Sequence, residues 1–138
     1  ERGGRRVLEI AQSESERVSE RSIVATRPRM LPNDPAITLR GEILDAKCFL
    51  GAMKPGDGKA HKACATLCIR GGIPAAVRIR TPDGRDDIAL LVGPGCSPFP
   101  ESLLEFIGEP VEFSGARFRI GNLDAIAVDP ASVRRLAR

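Results

Sequence analysis

The sequence contains no tryptophan and no tyrosine, and its only aromatic residues are five phenylalanines. Proteins that bind unpaired bases use aromatic side chains as stacking platforms, so this scarcity disfavours single-strand nucleic-acid binding. The formal net charge of +3, from 21 basic and 18 acidic residues, is also small for a nucleic-acid partner. No apolar run approaches the roughly 20 residues that a membrane-spanning helix requires. We therefore expect no nucleic-acid partner and no transmembrane helix.

Histidine and cysteine are also scarce, with one histidine and four cysteines in 138 residues. Four cysteines are too few for a disulfide-dense scaffold. Three of them, Cys48, Cys64 and Cys68, nevertheless lie within 21 residues of sequence together with His61. A hydrophobic content of 42% and a charged content of 28% are ordinary for a folded domain. The cysteine and histidine cluster is therefore the most informative part of the chain.

Residues 1–36 differ in pattern from the rest of the chain. Their charges alternate in sign around scattered apolar residues that keep no sustained helical spacing, and three prolines follow near the end. We interpret this stretch as an extended arm or linker, which could follow a removed signal or anchor because the chain opens without methionine. Residues 37–130 are predicted to form the folded domain, and residues 131–138 a C-terminal tail or short helix.

The pattern from residue 37 onward is typical of short β-strands. Five segments show the polar alternation or the short apolar runs that predict strands: 37–44, 75–80, 88–92, 110–116 and 123–128. Helices are predicted over about 59–70, with Asp57 as N-cap and a stop at Gly71-Gly72, and over about 100–107. This order is that of the OB-fold. We therefore predict a mainly β protein, a small five-stranded OB-like Greek-key barrel with a Cys/His-bearing helix inserted between strands 1 and 2 and a short helix between strands 3 and 4.

The cluster has the composition of a metal site. His61, Cys64 and Cys68 are spaced i, i+3 and i+7, which places them within an arc of about 60° on one face of the predicted helix. Cys48, at the end of the first strand, can reach this face if the intervening loop folds back. Three thiolates and an imidazole are a usual set for structural zinc, so Cys48, His61, Cys64 and Cys68 are the candidate ligands. Met53 offers a thioether instead, and a Cys/Cys/His/Met set would suit copper.

A disulfide is the main alternative for the same residues, and no metal cofactor would then be needed. Cys48 could pair with Cys64 or Cys68 in an oxidising compartment. A bridge between Cys64 and Cys68 is disfavoured, because Cβ atoms at i and i+4 are about 5–6 Å apart in a helix whereas a disulfide needs about 4 Å. Buried free thiols are a further interpretation, and separately His61 could be a plain surface residue beside Lys59 and Lys62. Cys96 lies in a turn-rich loop and is interpreted as unpaired, unless it bonds a cysteine left over from the cluster.

Several motifs carry a resemblance to a known group of proteins. They are the run from Gly41 to Cys48, the motif His61-x-x-Cys64-Ala65-x-x-Cys68-Ile69, the tripeptide Gly72-Ile73-Pro74 and the run from Gly108 to Gly115. In these motifs the chain resembles small bacterial exported or membrane-anchored OB-like domains, over about residues 37–128. The resemblance implies a barrel fold and an extracytoplasmic location on the periplasmic side, and it supplies no reaction. Cys96 and the N-terminal arm lie outside it.

We expect a non-enzymatic extracytoplasmic accessory domain, docked through its N-terminal arm to a membrane-associated redox assembly. A Cys–His catalytic pair would lack an oxyanion-hole motif and any orienting group other than Asp45. The expected partners are protein subunits of a membrane complex, with membrane contact only through a removed anchor or a partner. The alternatives are a thiol-based oxidoreductase or copper-handling protein using Cys64 and Cys68, and a single-strand nucleic-acid-binding OB module. Thioredoxin-like motifs have two residues between cysteines at a helix N-terminus, unlike the spacing here.

Overall fold

The computed structural model describes residues 35–81 and 83–137. The predicted arm therefore lies outside the described residues, apart from Pro35 and Ala36. The described chain forms one sheet of six strands and an α-helix, α1 (Lys62–Arg70), that lies between the first two strands. The strands are β1 (Ile37–Asp45), β2 (Ala75–Arg80), β3 (Asp86–Val92), β4 (Pro110–Ile120), β5 (Leu123–Val128) and β6 (Arg134–Arg135). The mainly β fold with a helix between β1 and β2 is confirmed.

The strand pairings form a circuit that begins and ends at β1. β1 is antiparallel to β2, β2 to β3, β5 to β4 and β4 to both β1 and β6, whereas β3 and β5 are parallel. β1 therefore has two partners, β2 along its C-terminal part and β4 along its N-terminal part. Gly41 lies near this change of partner, where a Cβ atom would come within 2.5 Å of the Arg78 carbonyl oxygen. A glycine is required for the two backbones to approach so closely.

Apolar side chains from β1 pack on both faces of the strand, because successive side chains point in opposite directions. Ile43 belongs to the largest apolar cluster, where the helix residue Ala65 also lies. Leu44 belongs to a second cluster that includes Phe49 from the segment after β1. Full burial of a side chain of this size contributes about 1.5–3 kcal/mol. The segment that follows β1 and the helix that precedes β2 are therefore both anchored by apolar packing.

The helix before β2 begins differently from the prediction and ends as predicted. A 3-10 turn, Lys59–His61, precedes α1 and follows Gly58, and no side chain caps it. The prediction that Asp57 is the N-cap was wrong, because its carboxylate pairs with the guanidinium of Arg78 on β2 instead. At the other end, the N–H groups of Gly71 and Gly72 donate to carbonyls of the last helical turn, and Gly72 has φ +95°. A positive φ is readily adopted by glycine, which explains the stop.

The second predicted helix is a 3-10 helix, Glu101–Phe106, rather than an α-helix. Its Leu103 and Leu104 are buried, so packing against the core holds this short helix in place. After β5 the chain makes a 3-10 turn, Pro130–Ser132, and then pairs with β4 as the two-residue strand β6. No helix in the described part of the chain has both the length and the apolar composition needed to cross a membrane.

Candidate metal centre

Cys48 is placed by a turn at the end of β1. Asp45 is the last residue of the strand, and its Oδ1 accepts a hydrogen bond of 2.7 Å from the Cys48 N–H. The next residues form a π-helical segment, Cys48–Ala52, whose Phe49 is buried in the second apolar cluster. Because both the turn and Phe49 are fixed, Cys48 is held next to the end of β1 with its side chain buried.

The loop after Cys48 folds back over it, which is the condition under which Cys48 can reach the helix. Gly56 is buried, and a Cβ atom there would lie 2.7 Å from both the Cys48 carbonyl oxygen and the Phe49 Cα atom. Glu42 of β1 accepts a hydrogen bond from the Gly58 N–H and pairs with Arg78 at 2.8 Å. The loop is therefore closed by a glycine that permits tight contact and by charged groups that hold its end against the sheet.

Cys64 and Cys68 lie one turn apart on α1, and both are half-buried. Ala65, between them, is 1% exposed and packs in the main core, which orients the helix. The start of α1 is held from outside the helix by Lys62, whose Nζ donates to Glu109 Oε1 at 2.7 Å. These two contacts set the direction in which α1 presents its cysteines.

The three thiols of the cluster come together. The Sγ atoms of Cys48, Cys64 and Cys68 lie within 4.8 Å of one another, with 3.9 Å between Cys48 and Cys68. At the usual zinc–sulfur distance of about 2.3 Å, two thiolates are about 3.8 Å apart in a tetrahedral site and about 4.0 Å apart in a trigonal one. The spacing therefore fits three ligands of one metal ion. All four cysteines carry free thiols, so the disulfide alternative is not formed in this structure.

His61 is buried, which shows that the interpretation as a surface residue was wrong. Its side chain is 4% exposed, and Nε2 lies 3.1 Å from Oδ2 of Asp45, which is itself fully buried. Asp45, Cys48 and His61 form a second group whose donor atoms lie within 4.8 Å of one another. Cys48 is shared by the two groups and is close to each of the other three predicted ligands. The sequence analysis named Asp45 only as a possible orienting group for a catalytic Cys–His pair and did not include it in the metal-binding cluster.

The protonation of the thiols follows from this burial. Desolvation raises the pKa of Cys48, and the neighbouring Asp45 carboxylate raises it further by hydrogen bonding and by its charge. Burial likewise raises the pKa of Cys68. A nucleophilic cysteine needs a lowered pKa instead, so the arrangement argues against a reactive thiolate. A bound cation would reverse the preference, because a thiol that coordinates a metal loses its proton.

The other sulfur-containing residues lie in different surroundings. Met53, the alternative ligand for copper, follows the π-helical segment, and its side chain is 46% exposed. Cys96 lies in a 3-10 turn, Pro94–Cys96, and packs against a third apolar cluster that contains Phe118. Comparisons with known protein families, with curated proteins and with solved structures gave no match for this chain.

Proposed function

We propose that the chain is a non-enzymatic accessory domain that binds one zinc ion through Cys48, Cys64, Cys68 and His61. The observation that carries the proposal is the convergence of three Sγ atoms within 4.8 Å from the segment after β1 and from α1. The buried His61 lies beside Cys48 and supplies an imidazole of the kind that completes a closed Cys3His site. Such closed sites hold structural metal ions and leave no open position for a substrate.

The charges of the cluster favour zinc over copper. Three thiolates with Zn²⁺ leave one net negative charge, whereas three thiolates with Cu⁺ leave two. The larger net charge of the copper site is more costly to bury than that of the zinc site. The fully buried Asp45 adds a further negative charge and so increases this difference. Copper stays the alternative, since soft thiolates also suit Cu⁺, but the exposed Met53 offers little support for a thioether ligand.

A metal at this position would have a structural role. It would connect the end of β1 to α1, two elements that are separated by a loop in which Gly51, Met53, Lys54 and Pro55 are exposed. Ordering such a loop costs about 1–2 kcal/mol per residue in backbone entropy, which its few apolar contacts offset poorly. Metal binding that depends on the folded arrangement contributes its free energy to folding.

The finer description of the fold is part of the same proposal. The pairings run from β1 through β2, β3, β5 and β4 and return to β1, as they would in a partly open Greek-key barrel. This circuit supports an OB-like barrel with α1 inserted between its first two strands. A solution or crystal structure in which β1 and β4 do not pair would contradict it.

The accessory role and the extracytoplasmic location are proposals that also involve a partner. Leu67, between Cys64 and Cys68 on α1, is 70% exposed, so the ligand-bearing helix presents an apolar side chain to solvent. This exposure supports docking to a protein, for which we propose a membrane-associated redox assembly. Purification from native membranes tests the docking: co-purification with membrane subunits is expected, and a monomeric protein without partners would contradict it.

Elemental analysis with a free-thiol count on unreduced protein tests the metal site. We expect one zinc per chain, with three thiols protected until a chelator is added and Cys96 reactive throughout. The variant Cys64→Ser should lose the zinc, whereas the matched control Cys96→Ser should retain it. Copper in place of zinc would favour the alternative metal, and two missing thiols without metal would show a disulfide. Insulin reduction that is lost in Cys64→Ser would overturn the non-enzymatic assignment.

A further inference from the structure

One buried carboxylate contacts two of the proposed zinc ligands. Asp45 Oδ1 accepts the N–H of Cys48 at 2.7 Å, and Asp45 Oδ2 lies 3.1 Å from His61 Nε2. Asp45 is 0% exposed and His61 is 4% exposed, so water does not compete for these contacts. The two ligands come from different elements, the segment after β1 and the turn before α1.

We propose that Asp45 is the positioning residue of this centre: it keeps the proton of His61 on Nε2 and so leaves the Nδ1 lone pair for the metal. This inference rests on the proposed zinc site. A neutral imidazole carries one N–H and one lone pair, and an ionised carboxylate can only accept. The nitrogen in contact with Asp45 is therefore the donor, and Nδ1 carries the lone pair that a metal could bind.

The arrangement matches what a metal-binding imidazole requires. A histidine ligand commonly donates its second N–H to a carboxylate, which fixes the ring orientation and increases the basicity of the ligating nitrogen. Asp45 does this while its other oxygen fixes the backbone of Cys48. One carboxylate thus sets the relative positions of two ligands before any metal binds.

The variant Asp45→Asn separates this role from a general structural one. The asparagine oxygen can still accept the Cys48 N–H, while the amide NH₂ turns toward Nε2 of His61. Nε2 would then have to accept, and the proton would move to Nδ1, where it blocks the metal. We expect zinc affinity to fall by about 10- to 100-fold, the usual effect of losing such a partner. Asp83→Asn, in an exposed turn, is the matched control and should leave zinc affinity unchanged.

Nitrogen-15 NMR of the imidazole tests the tautomer without any variant, and the signals are unambiguous because the chain has one histidine. In reduced, metal-free protein we expect the proton on Nε2 and a lone pair on Nδ1. On addition of zinc, the Nδ1 resonance should shift while Nε2 keeps its proton. A proton on Nδ1 before zinc is added, or a zinc response at Nε2, would overturn the inference.

A double-mutant cycle shows whether Asp45 acts through His61. In the His61→Ala background, Asp45→Asn should produce no further loss of zinc affinity. An equal loss in both backgrounds would mean that Asp45 acts independently of the imidazole, for instance as a ligand itself, and the positioning role would be wrong. If the thiols of the wild-type protein stayed fully reactive after zinc is added, the zinc site itself would be contradicted. That outcome is distinct from either result for Asp45.

Discussion

Two regions of the molecule bury ionisable side chains, and the neighbouring charges act on the pKa values of those side chains in opposite directions. Glu112 on β4 is 7% exposed, and its carboxylate pairs with the guanidinium groups of Arg40 and Arg134. These two hydrogen-bonded arginines lower the pKa of Glu112. The pKa of Cys48 is raised instead, by burial and by Asp45. The first region is completed by cations of the protein itself, whereas the second brings together thiols and a carboxylate that could hold an external cation.

The largest expected effect comes from removing the ligand that both groups of the cluster share. Zinc at a thousandfold excess over its Kd contributes about 4 kcal/mol of stability. At about 3 °C or more per kcal/mol, Cys48→Ser should lower the melting temperature of the zinc-loaded protein by roughly 10 °C. Calorimetry with and without chelator measures this effect. Chelator should lower the melting temperature of the wild type by a similar amount and leave that of Cys48→Ser unchanged.

Cys96→Ser is the control for this comparison, because Cys96 lies outside the cluster. It should change stability by no more than about 0.5 kcal/mol. Reductant should leave the melting temperature of the zinc-loaded wild type unchanged, since no disulfide contributes. Equal melting temperatures for the wild type and Cys48→Ser would show that the cluster does not stabilise the fold.

A smaller effect is expected from a change beside the cluster that touches no ligand side chain. Gly56→Ala places a Cβ atom 2.7 Å from the Cys48 carbonyl oxygen, so the loop must move. Overpacking of this kind typically costs about 1–3 kcal/mol, and the displaced Cys48 should also bind zinc more weakly. Zinc titration against a chromophoric chelator, together with thermal unfolding, measures both effects.

Gly51→Ala is the matched control, since a Cβ atom at Gly51 meets nothing within 4 Å. It adds the same methyl group to the same loop and should leave zinc affinity unchanged. If both substitutions weakened zinc binding equally, the close contact at Gly56 would not be what positions Cys48.

The smallest effect is expected at Glu112. Because its folded pKa lies below the ordinary value of 4.5, its ion pairs stabilise the fold above that pH, and the contribution is lost as the pH falls through the folded pKa. Glu112→Gln should therefore lower the melting temperature by a few degrees at pH 7 and flatten its decline in acid. The measurement is thermal unfolding across pH 2–7, with Glu101→Gln, an exposed partner of Arg70, as control.

Zinc affinity separates the two regions. Glu112→Gln should leave it unchanged, because Glu112 pairs with Arg40 and Arg134, neither of which is a proposed ligand. A large loss of zinc binding in this variant would show that the two regions are coupled and that the contrast between them is misplaced.

The accuracy of the sequence predictions varied with how local their causes are. The bounds of β2 and β5 were predicted to the residue, because apolar runs bordered by turn residues determine them. β4 is longer than predicted and continues to Ile120, where its last residues pair with β5. The two-residue strand β6 was not predicted, because Arg134 and Arg135 carry no strand pattern and only pairing with β4 makes them a strand.

The predictions for the site also divide into local features that were predicted and long-range contacts that were not. The spacing of Cys64 and Cys68 on one helix was readable, because helical geometry places i and i+4 side by side. From the sequence, Cys48 could approach Cys68 only if the intervening loop closed. In the structure the loop is closed, and the two Sγ atoms lie 3.9 Å apart. The contact of Asp45 with His61 joins residues 16 positions apart in sequence across two elements, and no local rule predicts it.

Local features of this protein therefore follow from its residue order: strand alternation, the glycine stop of α1 and a cluster of soft ligands near a single histidine. Their physical causes, backbone conformation and side-chain periodicity, act over a few residues. The folded chain alone decides that Asp57 pairs with Arg78 rather than capping the helix, that His61 is buried, and that Asp45 contacts both His61 and Cys48. Each of these outcomes depends on burial and on charges brought together from distant segments, which only the packing of α1 and its loop against the sheet can produce.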